Sequence, residues 1–473
     1  MQAQLFDSDK CVVGPAGELV FDGIDLGDLV RKNETPFFLA SEGILEDNFR
    51  RFSSGFASIQ DFGVYYSVKT NFETGVLRTW RRLGAGAEIS GELDLHVALK
   101  AGFEPDRIVF DGPCKTDREL RIAVEHRIRA INAESVDEIR RIDAIGKAAG
   151  RTIDIGVRIS PQTRAPYYDK MIKTYKQKFG FPIEACREAF DTVRACRHVR
   201  LVGINTHLGS QLLSPGAYVE GLNAMYRLAA DLASDGFPVT EVNIGGGFPA
   251  QSMRNLRLSR RVRAAKVLER FNMLERQTPG IEDFGRAIAA CYETNRRARG
   301  FAPRLTTEPG RSLVNNALVL VGRVRLVKAN WVFTDLSIND LPENLFFTER
   351  RVFFPGKLRE QPVGRAIVSG PTLATNDVLF FEKEIPRLAA GDPIVVFDAG
   401  GYSIPRANQF TRPRNPVFFL GKDGTMRLIR RRETVDDVVR MQMWDETADV
   451  APADLTVAAL LDEAAPVAGR ARR

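Results

Sequence analysis

The chain is poor in cysteine and histidine, and this removes several chemistries. Its five cysteines (Cys11, Cys114, Cys186, Cys196, Cys291) are scattered and never stand as CxxC. Their odd number and spacing suit reduced thiols and argue against a disulfide framework. The four histidines (His96, His126, His198, His207) also lack metal-ligand spacing, so no metal centre is expected. No apolar run approaches the roughly 18 residues that cross a bilayer, and the start, MQAQLFDSDK, has neither the basic nor the apolar region of a signal peptide. A cytoplasmic protein without a membrane segment is expected. At 27% charged against 44% hydrophobic residues, the chain has too few charges to resemble a disordered one. The net charge of +7 favours acidic partners. Two basic runs, RNLRLSRRVRAAKVLER (254–270) and RLIRRRE (427–433), read as a solvated helix face and a strand end. No recognised reader motif accompanies them, so nucleic-acid binding is not expected.

With 473 residues the chain exceeds one ordinary core, which implies two domains or a large barrel with an appendage. Eight short apolar runs follow one another from residue 60: GVYYSV, GAEIS, RIVFDG, RAINAES, DIGVRIS, LVGINTHL, VTEVNIGGG and RLTTEP. Stretches such as GELDLHVALKAG and VDEIRRIDAIGKAAG lie between them, with apolar residues at i, i+3 and i+4. Eight βα units in about 250 residues predict a parallel (β/α)8 barrel of the TIM type. After Glu308 the helical periodicity fades, and runs such as NNALVLVGRVRLVKA, DPIVVFDAG and NPVFFLG predict a mainly β domain. The expected division is an N-terminal segment joining the β domain (1–35), the barrel (36–312), the β domain (313–440) and an Ala/Pro-rich tail (441–473), read as a short helix with a frayed end.

In such a barrel, chemistry sits at the C-terminal ends of the strands. Lys69 follows the first run; a desolvated lysine there has a pKa that can fall, freeing its amine for a Schiff base, although a snorkelling surface lysine reads the same. Gly245, Gly246 and Gly247 end the seventh run and expose backbone N–H groups suited to a phosphate, or simply make a tight turn. Glu308 ends the eighth and could keep a pyridine nitrogen protonated or form a structural ion pair. His207, in the sixth, offers a flat ring for stacking or is a satisfied core histidine. Together the four describe a pyridoxal phosphate site.

YYSVKTN, GAGAEISGELDLHVALKAG, INAES, THLGSQ, NIGGGFP, EPGRSLV and FDAGGYS, in this order, resemble the fold type III pyridoxal phosphate decarboxylases, the diaminopimelate and ornithine decarboxylase family. The likeness runs from about residue 36 to 440. It implies a barrel and β domain of the alanine racemase and ornithine decarboxylase type, an amino-acid substrate, and a homodimer with shared active sites. Lys69 and His207 would be catalytic, Lys69 carrying the cofactor's aldehyde and His207 stacking on its ring. Glu308 would pair with the ring nitrogen. Ser210, Gly245, Gly246, Gly247, Gly310, Arg311 and Tyr402 would surround the phosphate. Glu88 stands where the family usually has an aspartate, and Arg158 matches an arginine near the cofactor's hydroxyl side.

Departures from the family pattern bear on substrate. After Gly370 and Pro371, where relatives carry a cysteine for protonation and an acid for the substrate's distal amine, this chain has Thr372, Leu373, Ala374, Thr375, Asn376 and Asp377. Asp377 is the remaining candidate for substrate contact there. The segment that usually holds an Arg-Pro and a tyrosine reads NDLPENLFF. Diaminopimelate, lysine and ornithine are therefore not expected as substrates, because an unpaired buried charge is costly. The stretch LIRRRETVDDVVRMQ is similar to natural-product and siderophore branches, which implies decarboxylation of an unusual amino acid, one linked to an acidic carrier protein included. The alternatives are a non-catalytic regulatory homologue, a racemase or another pyridoxal reaction.

Overall fold

A computed structural model describes residues 8–161, 178–250, 279–343 and 350–442. Each of the eight apolar runs holds a strand: Phe62–Ser67, Gly86–Ile89, Ile108–Phe110, Ala130–Ala133, Ile153–Ser160, Val199–Asn205, Glu241–Asn243 and Arg304–Thr307. Every neighbour pairs in parallel, and the eighth pairs with the first (Leu305 with Phe62), so the ring is closed. These strands are covered on both faces. Most of them therefore read as mainly apolar runs, with polar residues such as Glu241, Thr306 and Thr307 inside the short seventh and eighth strands. A short extra strand, Phe181–Pro182, pairs with the end of the fifth.

The outer helices start where the sequence supplies caps. Thr116 and Glu119 form a reciprocal capping box on Asp117–His126, and the Ser135 hydroxyl accepts the Glu138 N–H on Val136–Ala148. The helix Glu42–Gly55, ahead of the first strand, packs against Ile281–Arg299. Gly55 and Gly285 meet there, and a Cβ on Gly285 would collide with the Gly55 backbone. Gly285 needs glycine because the two helix backbones touch there, and Gly55 is nearly as close-packed.

The β domain is a second sheet in the order 378–385, 364–369, 331–334, 318–328, 37–41, 417–420 and 426–430, with 393–396 also pairing 318–328. The expected boundary at residue 36 therefore falls one strand early. Phe37–Ser41 lies in this sheet, antiparallel to Leu318–Lys328 and parallel to Val417–Leu420, because its five buried residues find their partners at 318–321 and 417–420, far along the chain. Residues 11–25 make a small sheet of their own, and the helix Leu26–Lys32 packs on the strands 318–328 and 393–396. Of the two basic runs, 427–430 is strand and 254–270 lies outside the described residues.

Residues from 433 form a separate unit, in which Thr434 and Asp437 cap the helix Val435–Val439. The rest of the expected tail helix, from 443, lies outside the described residues. Among the described residues no helix is long and apolar enough to cross a membrane, and no group of three or more His, Cys, Asp or Glu side chains is placed to hold a metal ion.

Candidate active site

The strand ends converge on the barrel mouth. Lys69 sits in the single turn Val68–Thr70 that ends the first strand, with its side chain 44% exposed toward the mouth. Its Nζ donates to both oxygens of Glu88, at 2.6 and 2.5 Å, from the second strand. Ser90 Oγ donates to the same carboxylate at 2.9 Å. Desolvation is the largest single influence and would lower the lysine's pKa, but Glu88, Tyr402 and Asp111 together raise it. Sequence reasoning anticipated the opposite direction. Burial likewise pushes Glu88 up, and Lys69 and the Ser67 and Ser90 hydroxyls together bring it below its ordinary value, so the pair is ionised.

On the opposite side His207 follows the sixth strand, and its Nδ1 accepts the Gly246 N–H at 3.4 Å. The residue is exposed. Desolvation within the mouth, with Arg158 and Lys69 nearby, nevertheless lowers its pKa to about 4. The imidazole is therefore neutral at pH 7, a flat ring with its proton on Nε2. Gly245 and Gly247 both have positive φ, 70° and 87°. A Cβ at either would strike the backbone oxygen of Thr206 or Gly209, so the triplet threads a passage only glycine fits. Ser210 stands exposed on the loop after His207.

Glu308 is buried at the end of the eighth strand. Burial, reinforced by Asp111 and Glu88 and opposed by Lys69 and Arg158, holds its pKa well above the usual carboxylate range. The segment after it packs on the lysine's own turn, since a Cβ at Gly310 would strike Thr70 Oγ1. Arg311 lies over the Tyr402 ring, 4.7 Å from its centre, and pairs with Glu343, which Arg406 also reaches at 3.2 Å. Tyr402 comes from the β domain. Its N–H donates to Thr70 O at 2.8 Å, and its φ of +56° marks a backbone held by its surroundings.

All the barrel residues singled out from sequence, and Tyr402, thus belong to one mouth or its immediate wall. Asp377 does not. It is 1% exposed, and its carboxylate accepts from Ser337 Oγ, Ile338 N–H, Thr372 N–H and Thr372 Oγ at 2.6 to 3.1 Å. Those four bonds occupy it as an anchor of its own loop, so the expected substrate contact is corrected. Leu373, in the same loop, is 96% exposed.

Several polar residues of the mouth were missed. Asp111 accepts from Asn132 Nδ2 at 2.6 Å and Asn205 Nδ2 at 3.2 Å. Glu134 receives Arg158 Nη1 at 2.7 Å, and Asn243 bridges Gly245 and Glu308. Each closes a barrel strand, so the rule that selected Lys69 and Glu308 would have found them too.

The donor set can be tested against a phosphorylated pyridine aldehyde. The mouth offers an amine, a neutral ring platform, a glycine-only passage and a deep carboxyl. Thr70 Oγ1, Asn205 Oδ1, Thr206 Oγ1 and Thr307 Oγ1 are buried there without partners among the described residues. The arrangement fits such a group.

The family model for the pyridoxal-dependent decarboxylase, pyridoxal binding domain, matches residues 43–315. The chain belongs to this family. It is a pyridoxal phosphate-dependent amino-acid decarboxylase. The decarboxylase is 30% identical over 436 residues to the diaminopimelate decarboxylase of Archaeoglobus fulgidus, covering 91% of this chain and 98% of the relative. It is 28% identical over 429 residues to that of Aquifex aeolicus, covering 89% and 95%. Among solved structures it is similar to the diaminopimelate decarboxylase of Methanocaldococcus jannaschii in complex with L-lysine, with a TM-score of 0.82 and 26% identity over 94% of this chain and 99% of that one. These relatives overturn the exclusion of diaminopimelate and, with it, the unusual or carrier-linked substrate. The exclusion rested on two short segments, one of which runs into undescribed residues at 344–347. Glu343, Arg406 and Arg350 stand around Arg311 and Ser403, so the wall keeps both signs of charge despite the altered motifs.

Proposed function

We propose that this enzyme decarboxylates diaminopimelate to lysine. The observation that carries the reading is the likeness to diaminopimelate decarboxylases along nearly the whole of both chains. The charged pair Glu343 and Arg406 beside Arg311 supports it, because a substrate with an amine and a carboxylate at its far end needs partners of both signs. When bound, the cofactor supplies an electron sink for the bond broken as carbon dioxide leaves.

In this reading Lys69 is the amine that holds the cofactor, and Glu88 orients it. His207 packs on the ring. Gly245, Gly246, Gly247, Ser210, Gly310, Arg311 and Tyr402 hold the phosphate, and Glu308 faces the ring nitrogen. Arg158, steadied by Glu134, lies on the hydroxyl side. With Leu373 in the position of the family's thiol, Lys69 is the proton carrier the mouth itself offers. The barrel is the cofactor domain, to which the β domain lends Tyr402.

The test is incubation with meso-diaminopimelate and mass analysis of the products. Lysine and carbon dioxide in equal amounts are expected. Turnover of some other amino acid, with diaminopimelate untouched, would overturn the proposal. The protein is further taken to be a homodimer in which the Gly370–Asp377 loop of one protomer lies beside the mouth of its partner. Light scattering should give twice the chain mass, and a monomeric mass for active enzyme would refute the shared site.

A further inference from the structure

We infer that Asn243 is a positioning residue that ties the glycine turn to Glu308 and confines the proton of that carboxyl to Oε2. The inference rests on the cofactor placement proposed above. Asn243 closes the seventh strand and is buried. Its Oδ1 accepts the Gly245 N–H at 2.8 Å, and its Nδ2 donates to Glu308 Oε1 at 2.8 Å. The amide can point only one way. A backbone N–H is a donor and nothing else, so the side-chain oxygen must face Gly245 and the NH2 must face Glu308.

Glu308 Oε1 is then an acceptor in either charge state. A proton on the carboxyl has to sit on Oε2, which has no hydrogen-bond partner among the described residues. The charged groups around Glu308 are Asp111 and Glu88, which favour that proton, and Lys69 and Arg158, which oppose it; burial decides in its favour. A second bond, from Glu308 N–H to Gly245 O at 2.8 Å, runs between the same two segments. One side chain and one backbone bond thus set the spacing between the end of the site that takes a phosphate and the end that meets a ring nitrogen. They also fix which oxygen exchanges the proton.

Two variants separate these roles. Asn243→Asp keeps an acceptor for Gly245 but turns an oxygen toward Glu308 Oε1. Asn243→Ala removes both bonds. In apoprotein carrying 13C-labelled glutamate carboxyls, with Glu308→Gln marking the signal, infrared titration should show the Glu308 midpoint raised by about one unit or more in both variants, since each removes a donor to the ionised form.

In holoprotein, Asn243→Asp should lower kcat about tenfold with KM changed much less, and should recover as the pH falls and the new carboxyl regains a donating proton. Asn243→Ala should in addition weaken pyridoxal phosphate binding about tenfold, without recovery in acid. An unchanged Glu308 midpoint in whichever variant folds would overturn the inference. If the unmodified protein takes up no cofactor on Lys69, the cofactor placement fails instead, and the apoprotein titration still decides the role of Asn243.

Discussion

Replacing Lys69 by alanine should lower kcat by on the order of 10³-fold or more, because it removes the half-exposed amine held beside Glu88 at the mouth, where the cofactor's aldehyde would bind. Lys69→Arg should be no better, since a guanidinium keeps its proton and cannot serve as a nucleophile. Borohydride treatment of the unmodified enzyme, followed by peptide mass analysis, should find the cofactor on the peptide containing Lys69. An active Lys69→Ala enzyme would remove the lysine from the mechanism.

The same pair sets a pH window in the apoprotein. Lys69 has a raised folded-state pKa, so its contribution to stability is present below its ordinary value of 10.5 and fades as the pH climbs through the higher folded value. Glu88 has a lowered one, so its contribution is present above 4.5 and is lost as the pH falls through the lower folded value. The pair therefore stabilises the fold between those two ordinary values. Lys69→Ala should destabilise most within that window, where it strands a buried carboxylate.

Glu308→Gln should lower kcat by about 10²- to 10³-fold, a typical loss for removing a preorganised charge partner. The amide of the variant must offer its oxygen to Asn243, which leaves its NH2 facing the site. A donor then stands where a carboxylate could accept a proton from a ring nitrogen, so the electron sink is weakened. Stability should move the other way. The folded-state pKa of Glu308 is raised, so its contribution is present below 4.5 and is lost as the pH rises through the folded value. Near and above neutral pH the carboxyl is a cost that the neutral isostere avoids. The Glu308→Gln apoprotein should melt at or above the unmodified protein at pH 8 while its holoenzyme is crippled. A variant that melts lower and keeps full activity would contradict both parts.

The substrate correction shows how far a motif can be carried. Losing a thiol and an acid from the Gly370–Asp377 segment looked decisive in the linear chain. Asp377, the acid that remained, proved to be held by Ser337, Ile338 and Thr372. Meanwhile Glu343, from the other altered segment, and Arg406, which lies in no motif, join Arg311 at the edge of the mouth. A substrate meets the whole wall, and a wall assembled from residues 311, 343 and 406 cannot be weighed from one of its segments.

By itself the sequence determined the barrel, its eight strands and most of its chemical residues. Strands covered on both faces are mostly apolar, and residues just after each run lie at a rim, so Lys69, His207, Gly245 and Glu308 were legible one strand at a time, while Glu88, inside its strand, was legible only through the family likeness. Tertiary structure alone decided what lies between strands. Ring closure sets Asp111 against Asn132 and Asn205, and Asn243 against Glu308. It also brought Phe37–Ser41 to partners at 318–321 and 417–420. The same proximity reversed the expected pKa direction of Lys69, because a carboxylate 2.5 Å away, Tyr402 and Asp111 together outweigh desolvation. Hydrogen bonds and Coulomb forces act over a few ångströms of space, and in a closed barrel that space is shared by residues tens to hundreds of positions apart.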